Sequence, residues 1–146
     1  MTEITAAATR FIAAEPQRAY EVIANYADHH GRILPSEFSG YRVEAGGHGA
    51  GTIISVKVTL PGGSRQVHVE ITEPEPGRVL VEKDSRTQTV TRFTVDSAEG
   101  GSTVTIDTRF PRSAGLRGLA ESIVAPRALR NLYVKELDLL ATVLGS

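Results

Sequence analysis

Residues 16–35 read PQRAYEVIANYADHHGRILP. This stretch decides the fold, because it breaks an otherwise strand-like first two thirds of the chain with helix. Proline at its first position suits a helix start, where the missing N–H is no loss. Before it, Met1 to Ala13 alternates like a strand. After it, Phe38 to Phe110 reads as strand after strand, and Ser113 to Leu144 reads as helix. A curved antiparallel sheet closed by one long amphipathic helix encloses an apolar space. The order therefore predicts a cavity for a hydrophobic small molecule.

Composition narrows the classes. A chain of 146 residues matches one domain, expected over residues 1–146, with a sizeable core. Its 40% apolar and 23% charged residues are ordinary for a globular protein. A net charge of −1 gives no general attraction to nucleic acid or to anionic membrane, so no nucleic-acid partner is expected. There is no cysteine, which removes disulfides, thiol nucleophiles and cysteine metal sites. MTEITAAATRFIAAEP has no basic start followed by an apolar core, and no apolar run is long enough to span a bilayer. A cytoplasmic location is the expectation.

The strands declare their faces. Ile54, Val56, Val58 and Leu60 alternate with Ser55, Lys57 and Thr59; Val67, Val69 and Ile71 with His68, Glu70 and Thr72; Val104, Ile106, Thr108 and Phe110 with Thr103, Thr105, Asp107 and Arg109. Period-two patterns mean one covered and one wet face. Gly46-Gly47, Gly62-Gly63 and Gly100-Gly101 fall between runs, where hairpin turns belong. Two runs are less clean. In Arg78 to Asp84, Val79 and Val81 compete with Leu80, and Glu82 is read as outward with Glu70. In Thr87 to Val95, Thr89 and Thr91 share a face with Phe93 and Val95. The last helix carries a stripe at Leu116, Leu119, Ile123, Leu129, Leu132, Tyr133, Leu137, Leu140 and Leu144. Pro126 inside it predicts a kink near Val124–Ala125, or a break into two helices.

The segment IAAEPQRAYEVIANY, with Pro16, Tyr20, Val22 and Ile23, resembles the strand-to-helix transition of the polyketide cyclase/dehydrase and lipid-transport superfamily, which has the START-like, Bet v 1-like (SRPBCC) fold. VEAGGHGAGTIISVKV, VEITEPEPGRVLVEK and FTVDSAEGGSTVTI are similar to its later strand regions. The resemblance covers nearly the whole chain. It implies an α+β helix-grip fold, in which a curved antiparallel sheet of about seven strands wraps around a long C-terminal helix and two short helices follow the first strand. It also implies a cavity between sheet and last helix, with the short helices at one mouth. The superfamily includes cyclases, lipid carriers and hormone receptors, so the resemblance bears on fold more than on activity.

Candidate chemistry is sparse. Asp28-His29-His30 matches the letters of a phosphoesterase signature, but the further motifs of those enzymes are absent. Neighbouring helical residues point about 100° apart, so the two imidazoles cannot easily share an ion, and no metal site is expected. His30 is spaced four residues from both Tyr26 and Leu34 and can face the cavity mouth as an acid or base. The alternative is a helix-end histidine bonded to turn carbonyls. Thr89, Thr91 and Thr108 can orient a ligand, or serve only as strand formers. Tyr133 can contact a ligand or pack in the core. Arg109, Arg112, Arg117, Arg127 and Arg130 read as a solvated face, diluted by Glu121, Glu136 and Asp138, before they read as an anion-attracting rim. Residues 46–51, GGHGAG, precede a strand rather than a helix, so they are a flexible hairpin and a candidate lid, not a phosphate loop. No serine–histidine–acid arrangement and no poised pair of carboxylates is visible.

The reading is a binding module for a lipid, polyketide or aromatic metabolite, without a cofactor. The alternative is a polyketide cyclase or dehydratase with acid–base groups at the cavity mouth, working mainly by positioning. The expected ligand-binding residues are Tyr26, His30, Leu34, Phe38, Val56, Val69, Thr91, Phe93, Ile106, Thr108, Leu129 and Tyr133. No residue is assigned as catalytic, and the sequence leaves the oligomeric state open.

Overall fold

The computed structural model describes residues 3–111 and 116–146, and side chains at 5–109 and 126–146. The predicted contributions of Leu116, Leu119, Ile123, Phe110, Arg112 and Arg117 lie outside the described side chains. The chain runs β1 (Glu3–Ile12), α1 (Pro16–Ala24), a 3-10 turn (His30–Ile33), β2 (Phe38–Ala45), β3 (Ile53–Leu60), β4 (Gly63–Glu75), β5 (Val79–Asp84), β6 (Thr89–Ala98), β7 (Gly101–Pro111) and α2 (Leu116–Val143). All seven strands join one antiparallel sheet in the order β1-β7-β6-β5-β4-β3-β2.

From β2 to β7 the sheet is a meander, each strand pairing with the next through a short turn. One pairing is remote. β1 crosses the molecule to lie on β7, with Ala8 opposite Ile106 and Ile12 opposite Ser102. Register shifts in the β2–β3 and β3-flanking β4–β5 pairs bend the sheet, as extra residues in one strand do. The curved sheet needs cover on its concave face, and α2 supplies it. Leu132, Tyr133, Leu137, Leu140 and Leu144 are all buried, as the stripe predicts. Small Ala6 and Ala8 on the inward face of β1 let the helix approach. Arg10 reaches Asp138 at 2.5 Å, and Lys135 pairs with Glu37 just before β2. The helix is thus tied to both edges of the sheet, although exposed pairs of this kind contribute little energy. α2 is continuous through Pro126, so the two-helix alternative does not hold.

α1 buries Ala19, Tyr20, Val22, Ile23 and Ala24. The glycine hairpin at 46–51 packs against it and is not a lid. Ala27 N–H donates to Gly47 O at 2.9 Å, Gly49 N–H to Ala24 O at 2.9 Å, and His48 bridges to Asn25. Glu73 of β4 completes the anchor, accepting from Tyr20 Oη at 2.6 Å and from Ala50 N–H at 2.8 Å. Replacing Glu73 with Ala is expected to cost about 1–3 kcal/mol, because two donors lose one acceptor. Hydrogen exchange should then quicken at Ala50 before it quickens in β6 and β7. Equal protection in both proteins would refute this anchoring role.

Candidate ligand cavity and its buried carboxyls

A cavity of about 820 Å3 lies between the sheet and α2. Its walls are mostly apolar. Val56 and Val58 come from β3, Val67 and Val69 from β4, Phe93 from β6, and Leu129 and Leu132 from α2. Gly62 on the β3–β4 turn, Gly63, Ser64 and Arg65 at the start of β4, and Arg86 on the β5–β6 turn also line it and are exposed. Among the described residues the way in therefore lies between those turns. The expectation that the short helices form a mouth is corrected: His30 is 1% exposed and sits at the deep end.

Sheet pairing explains the polar groups of that deep end. Directly paired residues on neighbouring strands share a face. Ile71 pairs with Glu82, Glu82 with Thr91, Thr91 with Thr108, and Thr108 with Ala6. This row crosses five strands, and all of it points inward. The sequence expectation that Glu82 faces water is wrong for this reason. In β5 the inward set is Leu80, Glu82 and Asp84, while Val79 and Val81 take the other face. The hairpin register was the missing signal, since Leu80 lies opposite the plainly inward Phe93.

Glu82 is held from behind. Tyr26 Oη donates to Glu82 Oε2 at 2.6 Å, and Tyr41 Oη donates to Tyr26 O at 2.6 Å. His30 stacks on Tyr26, with ring centroids 4.2 Å apart, and meets the edge of Phe93 at 5.8 Å. His30 Nδ1 lies 2.7 Å from Ile23 O. A carbonyl only accepts, so Nδ1 carries the proton and Nε2 presents its lone pair. That Nε2 is 3.6 Å from Glu82 Oε2. Burial disfavours both charges. It lowers the His30 imidazolium to about 4 and raises the Glu82 carboxyl to about 7. His30 thus lines the cavity at its deep end rather than at its mouth, and the carbonyl it bonds belongs to helix α1 rather than to a turn.

A second carboxyl comes from α2. Glu136 lines the cavity and is 4% exposed, which corrects its placement on the solvated face. It lies three residues after Tyr133 and four before Leu140, on the buried stripe. Burial first, and then the Glu82 carboxyl, push its pKa well above the carboxylate range. Among the described residues it has no hydrogen-bond or ion-pair partner. Tyr133 itself closes a hydroxyl chain, its Oη on Thr108 Oγ1 and that atom 2.8 Å from Thr91 Oγ1.

Of the twelve expected ligand residues, His30, Leu34, Phe38, Val56, Val69, Thr91, Phe93, Thr108, Leu129 and Tyr133 line the cavity. Tyr26 and Ile106 do not. Tyr26 stands behind Glu82, and Ile106 is part of the sheet core. Arg127 and Arg130 are not among the lining residues and are exposed. No group of three metal-ligating side chains occurs among the described residues, and none of their helices is long and apolar enough to cross a membrane.

Comparison with known proteins agrees with this architecture. The family described as polyketide cyclase / dehydrase and lipid transport matches residues 3–145, and the chain belongs to it. The NMR solution structure of the KanY protein is 31% identical, covers 100% of both chains and superposes with a TM-score of 0.87. The ginseng major latex-like protein 151 from Panax ginseng (13% identity, 97% of each chain, TM-score 0.74) and a START superfamily protein from Mycobacterium smegmatis (13%, 97% of each, 0.73) share the helix-grip fold. No curated protein matches significantly.

Proposed function

We propose that the chain binds a hydrophobic small molecule of the lipid, polyketide or aromatic class inside the grip. The observation that carries this reading is the cavity of about 820 Å3, apolar along its walls with a few convergent polar groups at one end. A filled interior would have favoured a protein-interaction role. Leu129 is a half-buried wall residue on α2, so a larger side chain there can fill the space. Leu129→Trp is expected to keep the fold and weaken binding at least about tenfold, the effect of losing roughly 1.4 kcal/mol of contact. Native mass spectrometry of the purified protein, followed by denaturing extraction, tests the reading directly. A bound hydrophobic molecule in the wild type, reduced in the variant, supports it. A bare mass, together with no thermal shift from hydrophobic compounds, counts against it.

One observation favours a cyclase or dehydratase as a second reading. Glu82 combines a carboxyl titrating at about 7 with a cavity position beside a neutral imidazole, which suits proton transfer near neutral pH. Glu82→Gln would then abolish at least about 99% of turnover of a polyketide-type substrate while leaving it bound. Undiminished turnover would remove Glu82 from such a mechanism.

A further inference from the structure

The deep end of the cavity holds two carboxyls and no described cation. Glu136 is buried and, among the described residues, has no hydrogen-bond or ion-pair partner; it and Glu82 line the same cavity. The groups that face them are known on each side. His30 comes from the 3-10 turn, Tyr26 from the segment after α1, Tyr41 from β2, and Tyr133 from α2. None of these is cationic at neutral pH, His30 included. Asp84, the next inward residue of β5, is engaged by the backbone N–H groups of His68 and Arg86. The lining arginines are Arg65, near the start of β4, and Arg86, on the β5–β6 turn, and both are exposed.

Two carboxyls lining one largely apolar cavity cannot both ionise cheaply. A neutral ligand leaves that conflict in place, and an anionic one sharpens it. A cation resolves it, because each carboxylate then gains an opposite charge at short range in low dielectric. We propose that the cavity selects a hydrophobic amine, its protonated nitrogen between Glu82 and Glu136 and its apolar body along Val56, Val67 and Leu129 toward the turns. This rests on the binding reading above and narrows its ligand class. The amine arrives as an ammonium ion, the carboxyl protons leave to solvent, and no other bond is made or broken. Binding therefore tightens as pH rises toward neutrality, since fewer protons must be displaced.

Isothermal titration calorimetry with phenylbutylamine, phenylbutanol and phenylbutanoate isolates the head group on one apolar body. At neutral pH the amine is expected to bind at least about tenfold more tightly than the alcohol, and the carboxylate more weakly than either. The amine enthalpy should depend on the buffer's ionisation enthalpy, reporting about one proton released. Glu136→Gln should bring amine and alcohol to similar affinity and cut the proton release, and Glu82→Gln gives the same test should that variant not fold. An alcohol or carboxylate that binds as tightly as the amine overturns the proposal and leaves the binding reading intact. So does amine binding without proton release. If none of the three binds while the purified protein carries a hydrophobic molecule, the amine assignment alone falls. If none binds and the mass is bare, both fall.

Discussion

Glu82→Gln is expected to be more stable than the wild-type protein at about pH 8 and close to it at about pH 4, with the gap approaching 3 kcal/mol. Glu82 has a folded value of about 7 against an ordinary 4.5. A raised carboxyl stabilises fully below the unfolded value and loses that contribution as pH rises through the folded one. The wild type therefore weakens between about pH 4.5 and 7, and glutamine, which does not titrate, escapes the loss. Glutamine also keeps an oxygen to accept from Tyr26 Oη. His30 acts with the opposite sign. Its folded value of about 4 lies below the ordinary 6.5, so its contribution is present above 6.5 and lost as pH falls through 4. In the wild type His30 opposes both raised carboxyls, Glu82 and Glu136, over most of this window. In the variant the Glu82 slope is gone and His30 is set against Glu136 alone, so stability should fall less with pH than in the wild type, the two curves diverging by up to about 1.4 kcal/mol per unit between about pH 4.5 and 7. Urea denaturation across this range measures both curves. Parallel curves would mean that Glu82 ionises as freely in the folded chain as in the unfolded one.

Gly101→Val is expected to cost at least about 3 kcal/mol, at the severe end of overpacking effects. A Cβ on Gly101 would stand 2.2 Å from Ile12 O and 3.0 Å from Ala13 Cα. Both are backbone atoms at the end of β1, so no rotamer change relieves the clash. Ile12 is fully buried and pairs with Ser102, whose hydroxyl donates to Ala14 O at 3.0 Å. Pushing β1 away strains the one remote pairing of the sheet. Its neighbour makes the contrast. Gly100 has φ 81°, a left-handed turn conformation that asparagine also adopts, and no backbone atom lies close to its added Cβ. Gly100→Asn should cost no more than about 1 kcal/mol. Thermal unfolding of the two variants separates the explanations. Equal losses would show that both glycines serve the turn alone.

These two sites mark how far the residues can be read without coordinates. The Gly100-Gly101 pair announces a hairpin, because turn chemistry is local. That Gly101 is also the seat of β1 is invisible, since its neighbour lies about ninety residues away in the chain and no nearby residue encodes that approach. The same division runs through the cavity. Val56, Val69, Phe93 and Leu129 are legible as inward residues because apolar side chains repeat at the strand or helix period. Glu82 and Glu136 are illegible by that rule, which assigns charge to water. Each nevertheless sits in phase with its buried neighbours, Glu82 with Leu80 and Glu136 with Leu132, Tyr133 and Leu140.

By itself, then, the chain's pattern determined the element order, the faces of most strands, the buried stripe of α2 and the existence of a covered concave sheet, all consequences of periodicity and turn residues acting over short range. Only the tertiary structure decided the closure of β1 on β7, the anchoring of the glycine hairpin on α1, and the meeting of Glu82, His30 and Glu136 at one end of the cavity. The physical reason is that a polar group's role depends on what it faces after folding. A carboxylate in water and a carboxyl against an apolar wall are the same letter, and burial separates them.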